Sequence, residues 1–396
     1  MRRAITALVV AGALLLAGGC STEIAGTAVV DPSAAPRPET GSYAVTPRDV
    51  GPVSPSMGLV LEGRRMATTA PLISEIDPAL RYRGQFEAGK LDTGEAQVSS
   101  VFGSIAGDAM RDREVGFLMG ARSQKQGAKL DDAVQVRAVT AGVIRMPSPG
   151  AAAAAVSPIL RGRDPGASAS TPDKTPLAIP GYTAAVGYSQ DYKLRNTGPS
   201  NVAFLAYKQY VIAVYGDFSA DQIATFFRVQ SKSLDGLAPT PIDKLATLPI
   251  DEAGIAKYTL APPPDDPTNT GSIAARVGLM SQSDQTNSRE AFTDAGVDAM
   301  ALGTSVLYRA KDAAGAVRLR DAFVTETKGT FSNITSVAAP GVPGATCLSM
   351  TQTPTSQARV TWCVAAVGRY VVEVGGQVRQ AVQAIGASYL IVREAK

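Results

Sequence analysis

The chain offers few side chains suited to chemistry: it has three cysteines, no histidine and a handful of adjacent carboxylates. Histidine is the side chain that most often serves as general base, proton shuttle or metal ligand near neutral pH. Its absence excludes Ser/His/Asp and Cys/His nucleophilic catalysis and removes a usual ligand of zinc sites. The sequence also lacks GxSxG, P-loop, GxGxxG, Ser-x-x-Lys and HExxH motifs. We therefore predict no catalytic residue, no metal site and no cofactor.

Carboxylates are the groups that remain for acid–base chemistry, since glycoside hydrolysis needs only two of them close together. The candidates are Asp131-Asp132, Asp265-Asp266, Asp251-Glu252 and Glu62. Each is more typical of a solvated turn or surface than of a catalytic site. A carboxylate-dependent hydrolase is therefore the alternative function and not the favoured one.

The first cysteine ends a bacterial export signal. Arg2 and Arg3 precede an apolar run over residues 4–17, and Gly18-Gly19-Cys20 follows it. The run is too short and too early for a permanent membrane helix, and small residues before a cysteine mark processing. We predict cleavage before Cys20, lipidation of its thiol and a body on the extracytoplasmic face of the cell membrane. The alternative is an ordinary secretory signal that is cleaved near a cysteine.

The other two cysteines form an even pair in an oxidising compartment. Cys347 and Cys363 are sixteen positions apart and have no CxxC or histidine partner, which makes a poor metal site. We predict that they form one structural disulfide.

Length and composition indicate how many domains the chain can form and which partners are not expected. The mature chain is long enough for two domains, and the apolar fraction of 45% can fill their cores. Lys and Arg number 38 against 35 Asp and Glu, and no basic run is interleaved with aromatics. Nucleic acid is therefore not an expected partner.

The segments predicted along the chain follow composition. They are a signal peptide over 1–19, a lipidated cysteine with a Pro/Ala-rich tether over 20–57, a first domain over 58–238, a Pro-rich linker over 239–272 and a second domain over 273–396. The tether buries too little apolar surface to fold, and its prolines are expected to keep it extended. The linker is expected to have little secondary structure.

An internal repeat predicts the fold. Its aligned landmarks are Val143-Ile144 with Val306-Leu307, Pro180-Gly181 with Pro343-Gly344, and Tyr210–Val214 with Tyr370–Val374. This alignment sets Cys347 on Ala184 and Cys363 on Ala203. A shorter echo, Val115–Met119 with Val277–Met280, predicts one more strand in each copy.

Both copies show an apolar strand, a helix, three β-rich runs and a closing amphipathic helix. Each copy has a predicted tight hairpin, one turning at Lys208-Gln209 and the other at Gly368-Arg369. We predict an α+β fold of two related halves, each a mostly antiparallel sheet covered by helices in the order β-α-β-β-β-α.

The chain resembles a family of actinobacterial cell-envelope lipoproteins, found in mycobacteria and nocardiae, that carries a domain of unknown function. The resemblance rests on Leu-Ala-Gly-Gly-Cys-Ser over 16–21, Gly26-Thr27-Ala28, the Glu62–Ala67 helix with Ile76-Asp77-Pro78, Trp362-Cys363-Val364 and Gly368-Arg369-Tyr370-Val371. It implies lipid anchoring and a two-part extracytoplasmic body, and it supplies no reaction and no functional residue.

The favoured function is a non-enzymatic binding or scaffolding module of the cell envelope. Its expected partners are the membrane, through the lipid anchor, and an envelope lipid, a glycan or a surface protein. A third possibility is a solute-binding component of an importer, because two lobes can clamp a ligand; the repeat lacks the alternating parallel β-α-β order of such lobes.

Overall fold

Two seven-stranded antiparallel sheets with helices form the body of the protein. The structure is a computed structural model and describes residues 36–91, 98–124, 135–160, 163–164, 167, 171–192, 197–264, 266–351 and 358–395. Arg37–Lys396 makes up one compact unit. The predicted signal peptide, Cys20 and Gly26-Thr27-Ala28 lie outside the described residues.

Within its described residues, the first half contains one sheet and six helices. Its strands are β1 (Tyr82–Gly89), β2 (Val115–Gln124), β3 (Gln135–Arg145), β4 (Thr175–Pro176), β5 (Val186–Gln190), β6 (Ser200–Tyr207) and β7 (Tyr210–Gly216). Its helices are α1 (Pro55–Ala67), α2 (Ile73–Ile76), α3 (Val98–Phe102), α4 (Ser104–Ala109), α5 (Pro149–Val156) and α6 (Ala220–Leu234). The strand order is β1-β2-β3-β7-β6-β5-β4.

The second half repeats the sheet of the first half and differs in its helices. Its strands are β8 (Gly271–Ala274), β9 (Ala299–Leu302), β10 (Ser305–Arg309), β11 (Thr335–Val337), β12 (Thr346–Thr351), β13 (Arg359–Val367) and β14 (Tyr370–Gly376). Its helices are α7 (Ala275–Leu279), α8 (Gln285–Ala295), α9 (Ala313–Thr330) and α10 (Val378–Val392). The strand order β8-β9-β10-β14-β13-β12-β11 matches that of the first half strand for strand. The predicted α+β fold of two related halves is therefore confirmed, with more strands per half than the sequence indicated.

Equivalent hydrogen-bonding positions fix the correspondence between the halves. Arg145 pairs with Tyr210 across β3 and β7, and Arg309 pairs with Tyr370 across β10 and β14. Val143 therefore corresponds to Leu307, and the predicted match with Val306 is wrong by one residue. Such a slip exchanges the two faces of a strand, so it matters for which side chains meet.

The Pro-Gly landmark is also misaligned. Gly181 and Gly341 occupy the same turn, with φ of 79° and 77°, so Pro180-Gly181 corresponds to Pro340-Gly341 and not to Pro343-Gly344. The second copy has two Pro-Gly pairs three residues apart, and only the first makes this turn. The echo between Val115–Met119 and Val277–Met280 is wrong as well, because the first segment lies in β2 and the second in α7.

The predicted hairpins and closing helices are present, and local chemistry explains their ends. Lys208 and Gly368 occupy the same turn position with φ of 51° and 56°, a region in which glycine is unstrained and lysine is not. Ser219 accepts a hydrogen bond from the backbone of Gln222 at 3.2 Å and so caps α6. The closing helices α6 and α10 each cover one face of their own sheet.

Residues predicted as tether and linker are partly packed on the body. Arg48 donates hydrogen bonds to the hydroxyls of Thr259 and Thr270 at 3.0 and 2.7 Å, and α1 begins at Pro55, before the predicted boundary. The segment over 239–272 contains two short 3-10 helices, Ile242–Thr247 and Ala256–Tyr258. These segments fold because their few apolar side chains reach the core of the second half.

Polar contacts join the two halves. Arg81 donates to Asp284 at 2.8 Å, and Arg276 donates to the carbonyl of Ala70 and to Glu75 at 2.9 and 2.8 Å. Apolar residues of both halves also belong to one continuous core. The halves are thus packed together. Among the described helices, none combines the length and the apolar character needed to span a bilayer.

Candidate functional site

The predicted disulfide is present. Cys347 in β12 and Cys363 in β13 are directly opposite each other, with Cα atoms 4.0 Å apart. Gly187 and Ala203 hold the equivalent positions of the first half, so the predicted match of Cys363 with Ala203 is right and that of Cys347 with Ala184 is wrong. The bridge lies in the apolar core under α10 and joins neighbouring strands, which makes it a structural link.

Glu62, one of the candidate acids, has a structural role. Its carboxylate is fully buried in α1 and accepts hydrogen bonds from Arg145 at 3.2 Å and from the backbone of Thr240 at 2.9 Å. Arg145 in turn pairs with Glu114 at 2.8 Å. The second half holds an equivalent pair, Arg309 with Asp298 at 2.8 Å. These ion pairs secure the end of the central strand in each half.

The other candidate acids that the structure describes, Asp251, Glu252 and Asp266, have separate surroundings. Asp251 accepts hydrogen bonds from the backbones of Ile255 and Ala256 at 2.9 Å each, which organises a turn. Glu252 is exposed. Asp266 lies at the rim of the cavity described next. Asp131, Asp132 and Asp265 lie outside the described residues.

A cavity of about 850 Å³ lies where the second sheet meets the first half. Its floor is the side of the second sheet that faces α9, and α9 forms one wall. Residues of α1, β1 and β2 form the opposite wall. Aromatic and aliphatic side chains make up much of its lining, and a few charged groups stand among them. This combination is typical of small-molecule binding sites.

Glu373 is the central polar group of the cavity floor. It lies deep in the protein, and the part of its surface that is accessible lines the cavity. The phenol of Tyr308 donates a hydrogen bond to it at 2.7 Å, and the indole of Trp362 donates another. Gln282 donates to the Tyr308 oxygen at 3.3 Å. Removal from bulk water raises the pKa of Glu373 to about 7, against the opposing effect of these two donors.

Glu326 supplies a second carboxyl group from α9. Burial raises its pKa to about 7, and the negative charges of Asp284 and Glu373 add to the effect. A backbone hydrogen bond from Asp284 and the charge of Arg81 oppose it. Glu326 also borders a second, more open cavity of about 630 Å³ between α8 and α9. Two carboxyl groups that titrate near neutral pH therefore face one cavity.

The first half provides an internal comparison for this site. By strand register, Ala213 corresponds to Glu373, Ile144 to Tyr308, and Val202 to Trp362. These three residues of the first half belong to a closed apolar core under α3, α4 and α5. The same face of the same fold is therefore apolar and filled in one copy, and polar and open in the other.

Three arginines stand at the cavity wall and rim. Arg64 donates to the carbonyl oxygens of Thr270 and Thr268 at 2.7 and 3.3 Å, and burial lowers its pKa to about 10. The Nε of Arg122 donates to the carbonyl of Arg83 at 3.1 Å, and burial lowers the pKa of Arg122. Arg83 is exposed. The cavity thus has the carboxyl groups of Glu373 and Glu326 on the side of the second half, and guanidinium groups together with the carboxyl group of Glu87 on the side of the first half.

Sequence reasoning missed Glu326 and Glu373. Glu373 was visible as the one charged residue in the run Tyr370–Val374, aligned with Ala213 in the first copy. Glu326 gave no comparable signal, because acidic residues on helices usually face solvent. No group of three or more acidic or cysteine side chains suited to a metal ion exists among the described residues.

Comparisons with known proteins identify the family. Residues 50–250 match the N-terminal part of the DUF7373 domain of unknown function, and residues 257–393 match its C-terminal part. No curated protein matches the sequence. The extracellular domain of PknH from Mycobacterium tuberculosis is a solved structure similar to this chain, with 11% identity and a TM-score of 0.29 over 48% of this chain and all of that one. The chain belongs to the DUF7373 family.

Proposed function

We propose that this protein is a lipid-anchored, extracytoplasmic binding module of the cell envelope, and that the 850 Å³ cavity is its ligand site. The observation that carries the proposal is the contrast between the two halves. Glu373, Tyr308 and Trp362 replace three apolar core residues of the first copy. Polar groups removed from bulk water cost stability, so their presence at an open cavity is better explained by a ligand than by folding.

The anchoring part of the proposal rests on the N-terminal sequence. The Arg2-Arg3 segment, the apolar run and Gly18-Gly19-Cys20 together have the order of a lipoprotein signal. A lipid on Cys20 would hold the folded body at the membrane surface. Ligands of the envelope would then reach the cavity without crossing the membrane.

A carboxylate-dependent hydrolase is the second candidate, and one observation favours it. Glu326 and Glu373 both line the cavity, and burial raises the pKa of each to about 7, a value suited to a general acid. However, Glu373 already accepts hydrogen bonds from Tyr308 and Trp362, which take up part of the hydrogen-bonding capacity that a general acid or base would use on its substrate. We therefore favour binding without chemistry.

The importer component is supported less well. A solute-binding clamp closes about a hinge between its lobes. In this chain Arg81 bonds Asp284 and Arg276 bonds Ala70 and Glu75 across the two halves, and one apolar core runs through both. Such a joint favours a fixed cavity over a closing cleft.

Native mass spectrometry of the full chain, isolated from envelope membranes, tests the binding proposal. We expect a co-purifying small molecule. Thr327→Trp, which fills the cavity from α9, should release it. Lys328→Trp, on the neighbouring exposed position of the same helix, should keep it. Recovery of the same molecule from Thr327→Trp, or of no molecule from any of the three proteins, would contradict the proposal.

Two further measurements separate the alternatives. Labelling with radioactive palmitate in an actinobacterial host should mark the wild type and not Cys20→Ser, and should place only the wild type in the membrane fraction. Incubation with envelope glycolipids and glycans should leave them unchanged. A product that forms with the wild type and not with Glu326→Gln would establish the hydrolase instead.

A further inference from the structure

Two carboxyl groups in the cavity, Glu373 and Glu326, have no arginine or lysine partner of their own among the described residues. Glu373 accepts hydrogen bonds from two neutral donors, Tyr308 and Trp362, and forms no ion pair with any residue that the structure describes. The positive charge of Arg81 lowers the pKa of Glu326, but Arg81 forms its ion pair with Asp284. Other deep acids of this protein, such as Glu62, are paired directly with arginine. Glu373 and Glu326 therefore differ from the buried acids Glu62, Asp77 and Asp284, each of which pairs with an arginine.

We infer that the ligand of this cavity carries an organic ammonium group on an apolar body, with Glu373 and Glu326 compensating its positive charge. The inference rests on the proposed function, because it names the chemical class of ligand for the same site. A charge removed from bulk water is strongly stabilised by an opposite charge nearby. An ammonium group on the ligand would supply the positive charge that no described side chain places beside Glu373.

The aromatic lining favours an organic cation over a metal ion. Tyr308, Trp362 and Phe323 line the cavity beside the two acids, and Phe86 and Phe331 line it farther out. The faces of aromatic rings attract ammonium groups, and Trp does so most strongly. A hard metal ion instead needs several oxygen ligands, and no suitable cluster exists among the described residues.

The positions of the arginines argue against an anionic group on the cavity floor. Arg64 and Arg122 stand on the wall formed by the first half and already donate to carbonyl oxygens. The floor itself holds Glu373, whose negative charge would repel a carboxylate or phosphate. The cavity volume of about 850 Å³ leaves room for an apolar body attached to the ammonium group.

Trp362 makes the test direct, because it is the single tryptophan of the chain and it lines the cavity. We would titrate the full chain with hexyltrimethylammonium chloride, sodium heptanoate and 1-heptanol at pH 8 and follow tryptophan fluorescence. Each probe carries a hexyl chain, and the three probes differ in the charge of the group attached to it. The ammonium probe should bind at least about tenfold more tightly than the other two, as expected for cation–π and charge interactions away from water.

Substitutions then assign the effect to the acids. In the double variant Glu326→Gln and Glu373→Gln, the preference for the ammonium probe should fall below about threefold, while the affinity for 1-heptanol stays within about twofold. Glu252→Gln, an exposed acid, is the matched control and should leave all three affinities unchanged. If the double variant does not fold, Glu326→Gln alone should lower the preference, because this side chain lies on a helix and is partly accessible.

The outcomes distinguish the two proposals. If 1-heptanol or heptanoate binds as tightly as the ammonium probe, the inference about charge is wrong and the cavity remains a binding site. If the preference persists in the double variant, the acids are not responsible and the inference is also wrong. If no probe changes the fluorescence and native mass spectrometry finds no ligand, the binding function itself fails.

Discussion

Replacing Glu373 by glutamine should make the ligand-free protein less sensitive to alkaline pH. Burial raises the pKa of Glu373 from its ordinary 4.5 to about 7 in the folded chain. The folded state therefore holds its proton more tightly than the unfolded state does. The contribution of Glu373 to the free energy of unfolding is therefore greatest below pH 4.5, decreases as the pH rises from 4.5 to about 7, and changes little above pH 7.

The size of this effect follows from the pKa difference. At about 1.4 kcal/mol per pH unit, a rise from 4.5 to about 7 corresponds to about 3 kcal/mol of unfolding free energy. Part of the Glu373 surface opens to the cavity, where water screens the charge, so we expect about 2 kcal/mol between pH 5 and pH 8. Glutamine has nearly the same shape and can still accept the hydrogen bond from Tyr308, but it does not titrate.

Urea denaturation of the full chain at pH 5, 6, 7 and 8, followed by Trp362 fluorescence and circular dichroism, measures this difference. The wild type should lose about 2 kcal/mol more than Glu373→Gln over this range. Glu252→Gln, at an exposed position, should follow the wild type. Parallel curves for the wild type and Glu373→Gln would show that Glu373 is not the group that titrates, and the reasoning would be refuted.

Three other substitutions test the parts of the structure that support the site. Cys363→Ser removes the bridge to Cys347 and should lower the unfolding free energy by about 3 kcal/mol relative to the oxidised wild type, measured by urea denaturation, and the reduced wild type should show a similar loss. Arg145→Met removes one of the two arginines that pair with the buried Glu62 carboxylate, leaves Arg65 as the other, and should cost about 3 kcal/mol in the same assay; a loss below about 1 kcal/mol would argue against the buried pair. Gly63→Ala sets a methyl group 2.5 Å from a carbonyl oxygen of β2, so the melting temperature should fall by an amount that corresponds to about 1 to 3 kcal/mol. The matched change on α5, Gly150→Ala, meets no atom closer than 3.8 Å and should not lower it.

Elements with strong local patterns could be predicted from the sequence. The hairpins β6–β7 and β13–β14 follow from apolar, β-rich runs on either side of a two-residue turn. Helix α6 has a local signature, because Ser219 and Gln222 form a capping box before an amphipathic run. The disulfide is predicted from the cysteine count and an expected oxidising compartment. Each of these depends on residues close in sequence.

Register between distant segments could not be obtained in the same way. The match of Val143 with Val306 differs by only one residue from the true match with Leu307, and all three residues are aliphatic. Hydrophobic identity alone cannot separate such neighbours, although the slip exchanges the faces of the strand. The second Pro-Gly pair of the C-terminal half misled the alignment for a similar reason, since the residue types are identical and only the backbone conformation differs.

The cavity exists because helices fill one face of the first sheet completely and leave a space on the equivalent face of the second sheet. This difference is seen only in the assembled structure. Short helices α3, α4 and α5 close the apolar face that carries Ala213 in the first half, whereas the longer α9 covers the face that carries Glu373 and leaves a cavity beside it.

The same comparison limits how the polar floor can be explained. If Glu373 and Trp362 served only to support the fold, the first half would need equivalents, because its strands have the same order and pairing. It instead reaches the same topology with Ala213 and Val202 in a closed apolar core. The fold therefore does not require a carboxyl group at this position. In the second half, the deep carboxyl group of Glu373 lowers stability, but it gives the accessible cavity a negative charge. A ligand of opposite charge is the simplest physical reason for a carboxyl group at this position.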